Sequence, residues 1–377
     1  MNPKICYSMP LGIDSHVHLR DPDFFASNDI FKQVVFATAS QHQWAVVMPN
    51  APEILTVSDM IAYRELIIKT AMELDCPWFD PLMTMYLKKN TDPLDILKAS
   101  ELQWFAGFKL YPQGVTTGSE GGVSDVEELE PLFKLMEKYG VKLLIHPEEP
   151  GEDPIIAEEA FIAKTLPKIM RMFGGKISLE HCSTKSAIDV VKNNLRVHGT
   201  LTVHHLNGNY DEMLASPFNY CKPVWPSEEN RLALIDALAN LEPFGNRLSF
   251  GSDSAPHLAR LKQANHPENP KYGCFSAPIT MSYYLRALCL AFGLDDLDEL
   301  LGNDTYRRYA EDLFFKNAAK FYGLPDVGWA ISNKEIETPY IKIIDEWASP
   351  PPQDGALVPP FPNETLKFTC TPVKIES

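Results

Sequence analysis

The sequence predicts a single (β/α)8 barrel, a TIM barrel of the α/β class, over most of the chain. Three observations favour this fold: eight short apolar runs, amphipathic stretches between them, and a repeat of about thirty-odd residues, the length of one βα unit. Eight such units in succession predict a closed parallel barrel. The length of 377 residues suits one large barrel or two ordinary domains, so length alone does not decide.

The eight predicted strands are short runs of β-branched and other apolar residues. They are LGIDSH at 11–16, WAVVMPN at 44–50, DPLMTMYL at 80–87, WFAGFKLYP at 104–112, VKLLIHP at 141–147, KISLEHC at 176–182, TLTVHH at 200–205 and RLSFGSD at 247–253. Between them, apolar residues at i, i+3, i+4 and i+7 predict helices, for example over 57–74, 124–140 and 227–241.

The predicted barrel accounts for residues 1–322. Its first strand begins near Leu11, so we expect no N-terminal β-sandwich. After the eighth strand, two helices are predicted at about 278–292 and 303–321. The Pro-rich remainder, 323–377, is interpreted as an extended C-terminal strap packed on the barrel surface.

Composition argues against several classes of protein. The 34 Lys and Arg against 50 Asp and Glu give a net charge of −16, so nucleic acid is not an expected partner. No window approaches the roughly 18 uninterrupted apolar residues of a membrane span, and no signal peptide is evident, so a cytoplasmic protein is expected. The seven cysteines are scattered and lack a C-x-x-C pair, which argues against disulfides and a thiolate zinc site.

Polar residues stand where the predicted strands end, which is where (β/α)8 barrels carry their active sites. Because successive strand side chains point to opposite faces, the two histidines and the arginine of HVHLR leave on the same side. Imidazoles and carboxylates are common metal ligands, and H-x-H often chelates one ion. The residues at the strand ends are His16, His18, Asn50, Lys109, His146, His181, His204, His205 and Asp253.

Lys109 does not fit a simple ligand set, because a protonated amine has no lone pair and repels a metal ion. One interpretation is a salt-bridged or snorkelling lysine. The other is that carbon dioxide carboxylates the neutral amine, which gives a bridge with one oxygen for each of two ions. Burial and neighbouring cations would favour the neutral amine by lowering its pKa.

These motifs resemble the amidohydrolase superfamily and, within it, the short bacterial type of dihydroorotase. The resemblance covers nearly the whole chain, through DSHVHLRD, VVMPN, FKLYPQGVTT, LLIHPE, LEHCST, FGSDSAPH and GCFSAP in that order. It implies reversible cyclisation of N-carbamoyl-L-aspartate to L-dihydroorotate in pyrimidine synthesis, by a homodimer. It also implies two zinc ions per subunit and N6-carboxylation of Lys109.

The resemblance assigns a role to each motif residue. The more buried ion would be held by His16, His18, Asp253 and carboxylated Lys109, and the second by the same carbamate with His146 and His181. Asp253 would also act as general base and then acid, moving the proton of a bridging hydroxide to the amide nitrogen. Substrate contacts would come from Arg20, Asn50, Thr116, Thr117, Lys222, His257 and Tyr272, with Arg20, Asn50 and His257 on the substrate carboxylate and the two threonines on a mobile loop.

The chain departs from the family pattern at two places. Lys222 follows a cysteine where a small or apolar residue is common, and PVWPSEEN after it replaces a stretch that usually contains a lysine. Pro147 separates His146 from Glu148 and removes a backbone donor, so we expect ligation to survive with less local flexibility.

Other polar residues receive lesser roles. At most one of His204 and His205 should face the barrel interior, and neither is favoured as a direct ligand. Glu180 should point away from His181 by strand alternation and is interpreted as structural. The histidines outside the strand ends, His42, His198 and His266, are expected on the surface.

Two alternatives to the dihydroorotase reaction stay open. Another cyclic amidase, such as a hydantoinase or dihydropyrimidinase, acts on substrates without a ring carboxylate, and Arg20, Asn50 and His257 would then lack a role. A catalytically inactive barrel that serves as a scaffold should have lost metal ligands, yet all of them are present. The ligand types accept zinc, cobalt or manganese.

Overall fold

The computed structural model describes residues 8–263, 271–325, 340–348, 357–360 and 365–373. Eight parallel strands form one sheet in chain order, and main-chain hydrogen bonds from Asp253 N to His16 O (2.8 Å) and from His18 N to Ser254 O (2.9 Å) join its two edges. The predicted barrel is therefore confirmed. Its strands are β2 (Gly12–Val17), β3 (His42–Val47), β4 (Asp80–Tyr86), β5 (Phe105–Leu110), β6 (Leu143–Ile145), β7 (Ile177–Leu179), β8 (Val197–Leu201) and β9 (Leu248–Phe250).

Helices connect and surround the strands. They are α1 (Pro22–Phe25), α2 (Asn28–Ala39), α3 (Val57–Glu73), α4 (Pro93–Ser100), α5 (Glu130–Lys138), α6 (Ala157–Lys164), α7 (Leu166–Met172), α8 (Lys185–Asn193), α9 (Val203–Asn207), α10 (Tyr210–Ala215), α11 (Glu228–Ala239), α12 (Ala259–Lys262), α13 (Thr280–Phe292), α14 (Leu297–Gly302), α15 (Asp304–Glu311) and α16 (Asn317–Tyr322). Short 3₁₀ helices lie at Val126–Leu129, Pro217–Asn219, Glu242–Phe244 and Ala277–Ile279, and a π-helical turn at Asp312–Lys316 joins α15 to α16.

Local sequence explains where several helices begin and end. Thr56 and Asp59 form a capping box at the start of α3, and the Ser227 side chain accepts a hydrogen bond from Asn230 N at the start of α11. α13 ends at Gly293, whose φ of 65° suits a glycine C-cap. The predicted helices at these positions are confirmed to within a few residues.

The seventh strand of the barrel begins and ends earlier in the chain than predicted. The structure places that strand, β8, at Val197–Leu201 rather than at 200–205. Thr202 then caps α9, with its hydroxyl accepting a hydrogen bond from His205 N at 3.4 Å. His204 and His205 therefore lie on a short helix, where strand alternation does not apply, and both are fully buried.

Apolar side chains fill the end of the barrel opposite the carboxyl ends of the strands. Trp44, Val46, Leu82 and Leu144 belong to one buried cluster with the segment Phe315–Tyr322. The π-helical turn and α16 thereby cover this end of the barrel. A larger core lies between the strands and the surrounding helices.

Two described stretches of the C-terminal segment form strands, which the predicted strap did not include. Strands β1 (Ser8–Pro10), β10 (Tyr340–Ala348) and β11 (Thr365–Val373) form a small antiparallel sheet. The alternation in TLKFTCTPV is typical of a strand, and the proline content of the whole tail obscured it. Val358 packs with Phe218 and Ala259 against the barrel, while the division at residue 322 stays a prediction.

Candidate metal centre and substrate cleft

Three predicted ligands meet at the carboxyl ends of β2 and β9. His16 Nε2 and His18 Nε2 lie 3.4 Å apart, and Asp253 Oδ1 lies 3.4 Å from the first and 3.3 Å from the second. Donors that surround one ion tetrahedrally at 2.0–2.1 Å are separated from each other by about 3.3 Å. The spacing of these three atoms therefore fits a single metal ion.

The other predicted ligands surround the same point. The His181 ring lies 5.0 Å from the His16 ring and 4.6 Å from the His146 ring. Lys109 is fully buried, and within the described residues its Nζ has no hydrogen-bond partner. Burial lowers the pKa of Lys109 to about 8, so the neutral amine that carboxylation requires is accessible near neutral pH.

Two buried carboxylates orient the histidines. Glu180 Oε2 accepts a hydrogen bond from His16 Nδ1, and Glu148 Oε2 lies 2.5 Å from His146 Nε2. Each bond leaves the opposite ring nitrogen free to bind a metal, which is how ligating histidines are commonly held. The prediction for Glu180 was wrong, because β7 ends at Leu179 and alternation no longer governs the next residue.

Glu148 was not assigned a role from the sequence. Its position two residues after His146 was the available signal, since a carboxylate that close to a ligating histidine can reach the ring. Pro147, the residue between them, does not prevent the contact.

Burial determines the charge state of the ligands. It lowers the pKa values of His16, His18 and His181 well below their usual range, so these rings are neutral and keep a lone pair. It also raises the pKa of Asp253 well above that of a free carboxyl. A bound cation would oppose that rise by stabilising the ionised form.

The main chain is strained at three of the predicted residues. Arg20, His181 and Asp253 have φ angles of 61°, 42° and 45°, a region that costs a non-glycine residue roughly 1 kcal/mol or more. Hydrogen bonds hold two of them in place: the Tyr63 hydroxyl donates to Arg20 O, and His181 N donates to Thr200 Oγ1 at 2.6 Å. Such strain concentrates at functional sites.

A cleft opens above the cluster of ligands. Most of the predicted substrate contacts line it, together with three residues that the sequence analysis did not assign, Tyr111, Ala255 and Gly273. Tyr111 stands in the KLYP motif, two residues after Lys109 on an inward-facing position, and that spacing was the available signal. The lining residues are His18, Arg20, Asn50, Tyr111, Thr116, Thr117, His146, His181, Lys222, Asp253, Ala255, Tyr272 and Gly273.

His257 is the predicted substrate residue that does not line this cleft. Its Nε2 lies 3.0 Å from Tyr272 O, and its ring packs 5.5 Å from Phe24. Gly273 lies next to it at φ +143°, where an added Cβ would approach Ala255 O to 2.4 Å. Only glycine therefore allows this close packing behind the cleft wall.

The threonine loop lies over the cleft. Asn50 Nδ2 donates to Thr117 O at 2.7 Å, and the Thr117 hydroxyl donates to Tyr272 O at 3.4 Å. Gly118 follows at φ +67°, and a Cβ there would come within 2.7 Å of Asn50 O. The glycine is therefore what lets the loop approach Asn50 so closely.

The remaining histidines were expected on the surface, and this prediction was wrong for the two that the structure describes. His42 and His198 are buried rather than exposed, because they stand in β3 and β8 near the start of each strand. Their ring nitrogens contact Thr38 O at 3.0 Å and Ser249 Oγ at 2.8 Å. His266 lies outside the described residues.

Comparison with known proteins identifies close relatives over the full fold. The chain is 34% identical over 366 residues to the dihydroorotase of Hahella chejuensis, an alignment that covers 94% of this chain and 96% of that protein. Dihydroorotase from Saccharomyces cerevisiae in complex with 5-fluoroorotic acid has a TM-score of 0.79 at 27% identity, covering 97% of this chain and 98% of that one.

Two further solved structures resemble the chain to different degrees. Dihydroorotase from Campylobacter jejuni has a TM-score of 0.77 at 28% identity, covering 97% of each chain. An L-hydantoinase from Arthrobacter aurescens has a TM-score of 0.71 at 16% identity, over 96% of this chain and 82% of that one, and shows a likeness of fold alone. No family model matches the chain.

Proposed function

The chain belongs to the dihydroorotase family and is a hydrolase that acts on cyclic amides, and from this premise we propose that its cleft interconverts N-carbamoyl-L-aspartate and L-dihydroorotate. The observation that carries the choice of substrate is a buried guanidinium in the cleft wall that packs over the Phe24 ring and keeps an open hydrogen-bond donor. Arg20 is 1% exposed, and among the described residues its Nε has no hydrogen-bond partner. A substrate carboxylate would supply that partner.

The surroundings of Arg20 support this assignment. Burial lowers its pKa to about 10, so the guanidinium stays charged at neutral pH. Asn50 Oδ1 and His257 Nδ1 likewise lack a hydrogen-bond partner within the described part of the chain. We propose that Arg20 and Asn50 in the cleft wall, with His257 reaching from behind that wall, hold the ring carboxylate, the group that separates dihydroorotate from hydantoins and dihydropyrimidines.

The donor set fits two metal ions, which we propose to be zinc. His16, His18 and Asp253 would hold the first and His146 and His181 the second, with Lys109, carboxylated on Nζ, between them. Two neighbouring ions would polarise the amide carbonyl and make water a strong nucleophile at neutral pH. Lys109 suits the bridge because its amine is buried, unpaired and easily deprotonated.

The chain's own residues would then orient the substrate and move the proton. Arg20 fixes the carboxylate and thereby aims the ring amide at Asp253. Asp253 accepts the proton of the attacking water and returns it to the amide nitrogen, and the same steps run in reverse for cyclisation. Thr116 and Thr117 close the cleft against bulk water, while Lys222 and Tyr272 flank the substrate.

The function is tested by following hydrolysis of L-dihydroorotate in the ultraviolet with protein as purified, after chelation, and after zinc is restored. Activity should vanish on chelation and return with zinc. Dihydrouracil, which lacks the ring carboxylate, serves as the control substrate and should be hydrolysed far more slowly. Metal-loaded protein that prefers dihydrouracil would instead favour a dihydropyrimidinase.

Arg20→Met should lower kcat/KM for dihydroorotate by about 10²-fold or more, chiefly through KM. The reason is that each charge-assisted hydrogen bond contributes about 1.5–3 kcal/mol, and a tenfold change corresponds to about 1.4 kcal/mol. Arg231→Met, which alters an arginine paired with Glu228 outside the cleft, is the matched control. Full activity of Arg20→Met would remove Arg20 from the carboxylate site.

Two implications of the family resemblance stay predictions. A homodimer is checked by light scattering on the eluting protein, and a cytoplasmic location by cell fractionation. Within the described residues, none of the helices is both long enough and apolar enough to span a bilayer.

A further inference from the structure

Three further metal-binding side chains meet outside the catalytic ligand set. His204 and His205 lie on α9, and Cys221 follows the 3₁₀ helix at Pro217–Asn219. One ligand atom from each lies within 4.8 Å of the other two, and the three residues are at most 1% exposed. None of them belongs to the catalytic ligand set or lines the substrate cleft.

The His204 ring is the strongest sign of a missing ligand. It is fully buried, and among the residues that the structure describes neither its Nδ1 nor its Nε2 has a hydrogen-bond partner. Its ring stacks on Trp225 at 5.8 Å and meets the His205 ring edge to face at 4.4 Å. A buried polar group left without a partner costs about 1–3 kcal/mol, which coordination of a lone pair would offset.

His205 has the contacts of a ligating histidine. Its Nε2 lies 3.2 Å from Pro223 O, the main chain of His181 also faces the ring, and within the described residues its Nδ1 has no hydrogen-bond partner. A ring that donates one N–H to a backbone carbonyl is held in orientation and presents its other nitrogen as a lone pair. Burial also lowers its pKa to about 4, so the ring is neutral.

The surroundings of Cys221 supply a second thiol and a positive charge. Cys274 packs against Cys221 in the same buried cluster. The Lys262 ammonium lies beside them and donates to Tyr220 O and Gly273 O, both at 2.6 Å. Burial raises the pKa of the Cys221 thiol well above its usual value, and the Lys262 charge opposes that rise only in part, so the thiolate would form as a metal ion binds. A divalent ion bound by two thiolates and two neutral imidazoles would have no net charge.

We propose that His204, His205 and Cys221, with Cys274 as the nearest further donor, form a structural site for a thiophilic divalent ion of the zinc type. Mixed histidine and cysteine sets bind such ions tetrahedrally. Binding would release the thiol protons and would tie α9 to the segment that carries Lys222. The site is independent of the proposed reaction, since it shares no ligand with the catalytic centre.

Cobalt is the probe, because this site would place sulfur on the metal whereas the proposed catalytic ligands contain none. Protein from cells grown with cobalt in place of zinc should show sulfur-to-cobalt charge-transfer absorption in the near ultraviolet. Cys221→Ser and His204→Asn should each bind one ion fewer than the wild type, and Cys221→Ser should lose the absorption. Cys289→Ser, at a half-buried cysteine on α13, is the matched control and should retain both.

Either of two results would overturn the proposal. The first is wild-type protein that binds cobalt without sulfur-to-cobalt absorption, and the second is absorption that persists in Cys221→Ser. If the variants do not fold, X-ray absorption of the wild-type zinc protein decides, because zinc–sulfur scattering at about 2.3 Å is expected from this site and not from the proposed catalytic ligands. Its absence refutes the site even where dihydroorotate hydrolysis is normal.

Discussion

Asp253→Asn should keep the fold and much of the bound metal while lowering turnover on the order of 10²-fold or more. The side chain is buried, and asparagine has nearly the same shape and can still offer an oxygen to a metal through the position that now lies 3.3 Å from His18 Nε2. An amide cannot accept and return a proton as a carboxylate does. The loss should therefore fall on kcat more than on KM.

The measurement for Asp253→Asn combines steady-state kinetics in both directions with metal analysis of the same sample. Asp236→Asn, on α11, provides a matched change outside the cleft and should behave as wild type. Near-normal turnover with full metal content would show that Asp253 is only a ligand. Loss of all metal would make the lower turnover uninformative about proton transfer, so kinetics are compared at equal metal content.

Lys109→Ala should lose the metal pair and with it essentially all activity. The substitution removes the proposed bridge and leaves a space beside His181, whose ring lies 5.0 Å from the His16 ring and 4.6 Å from the His146 ring. Short carboxylic acids such as acetate or propionate should enter this space and restore part of both metal binding and activity. Metal content, measured with and without the acid, is the direct readout.

Lys142→Ala is the matched control for Lys109→Ala. Burial lowers the pKa of Lys142 to about 8 as well, but its Nζ lies 6.0 Å from the Tyr322 ring, near the segment that covers the other end of the barrel. It should keep both ions and should not respond to added acids. A Lys109→Ala protein that still holds two ions would disprove the bridge.

The catalytic ligands could be predicted because two simple rules place them. Alternation on β2 puts His16 and His18 on the same face, and a barrel brings the carboxyl ends of all its strands to one side. Both rules follow from backbone geometry and can be applied without knowing any tertiary contact. Alternation carries on to His18, one residue beyond β2, but not to Glu180, one residue beyond β7, which is why the contact from Glu180 to His16 was missed.

Contacts between distant loops could not be predicted from the sequence. Cys221 comes sixteen residues after His205, without any motif that joins them, and only the folded chain brings them together. His42 and His198 were misjudged for a related reason. A histidine outside a motif is often exposed, but these two enter the barrel wall, where a backbone oxygen contacts one ring and a hydroxyl oxygen contacts the other.

The segment Phe315–Tyr322 has a consequence for how the chain is made. It covers apolar side chains of strands that begin with residue 12, yet the ribosome completes it after all eight strands. During synthesis the inner face of the early strands therefore stays uncovered until the barrel is almost finished. Exposed apolar surface of this kind makes large nascent chains prone to aggregation until the last helix is made.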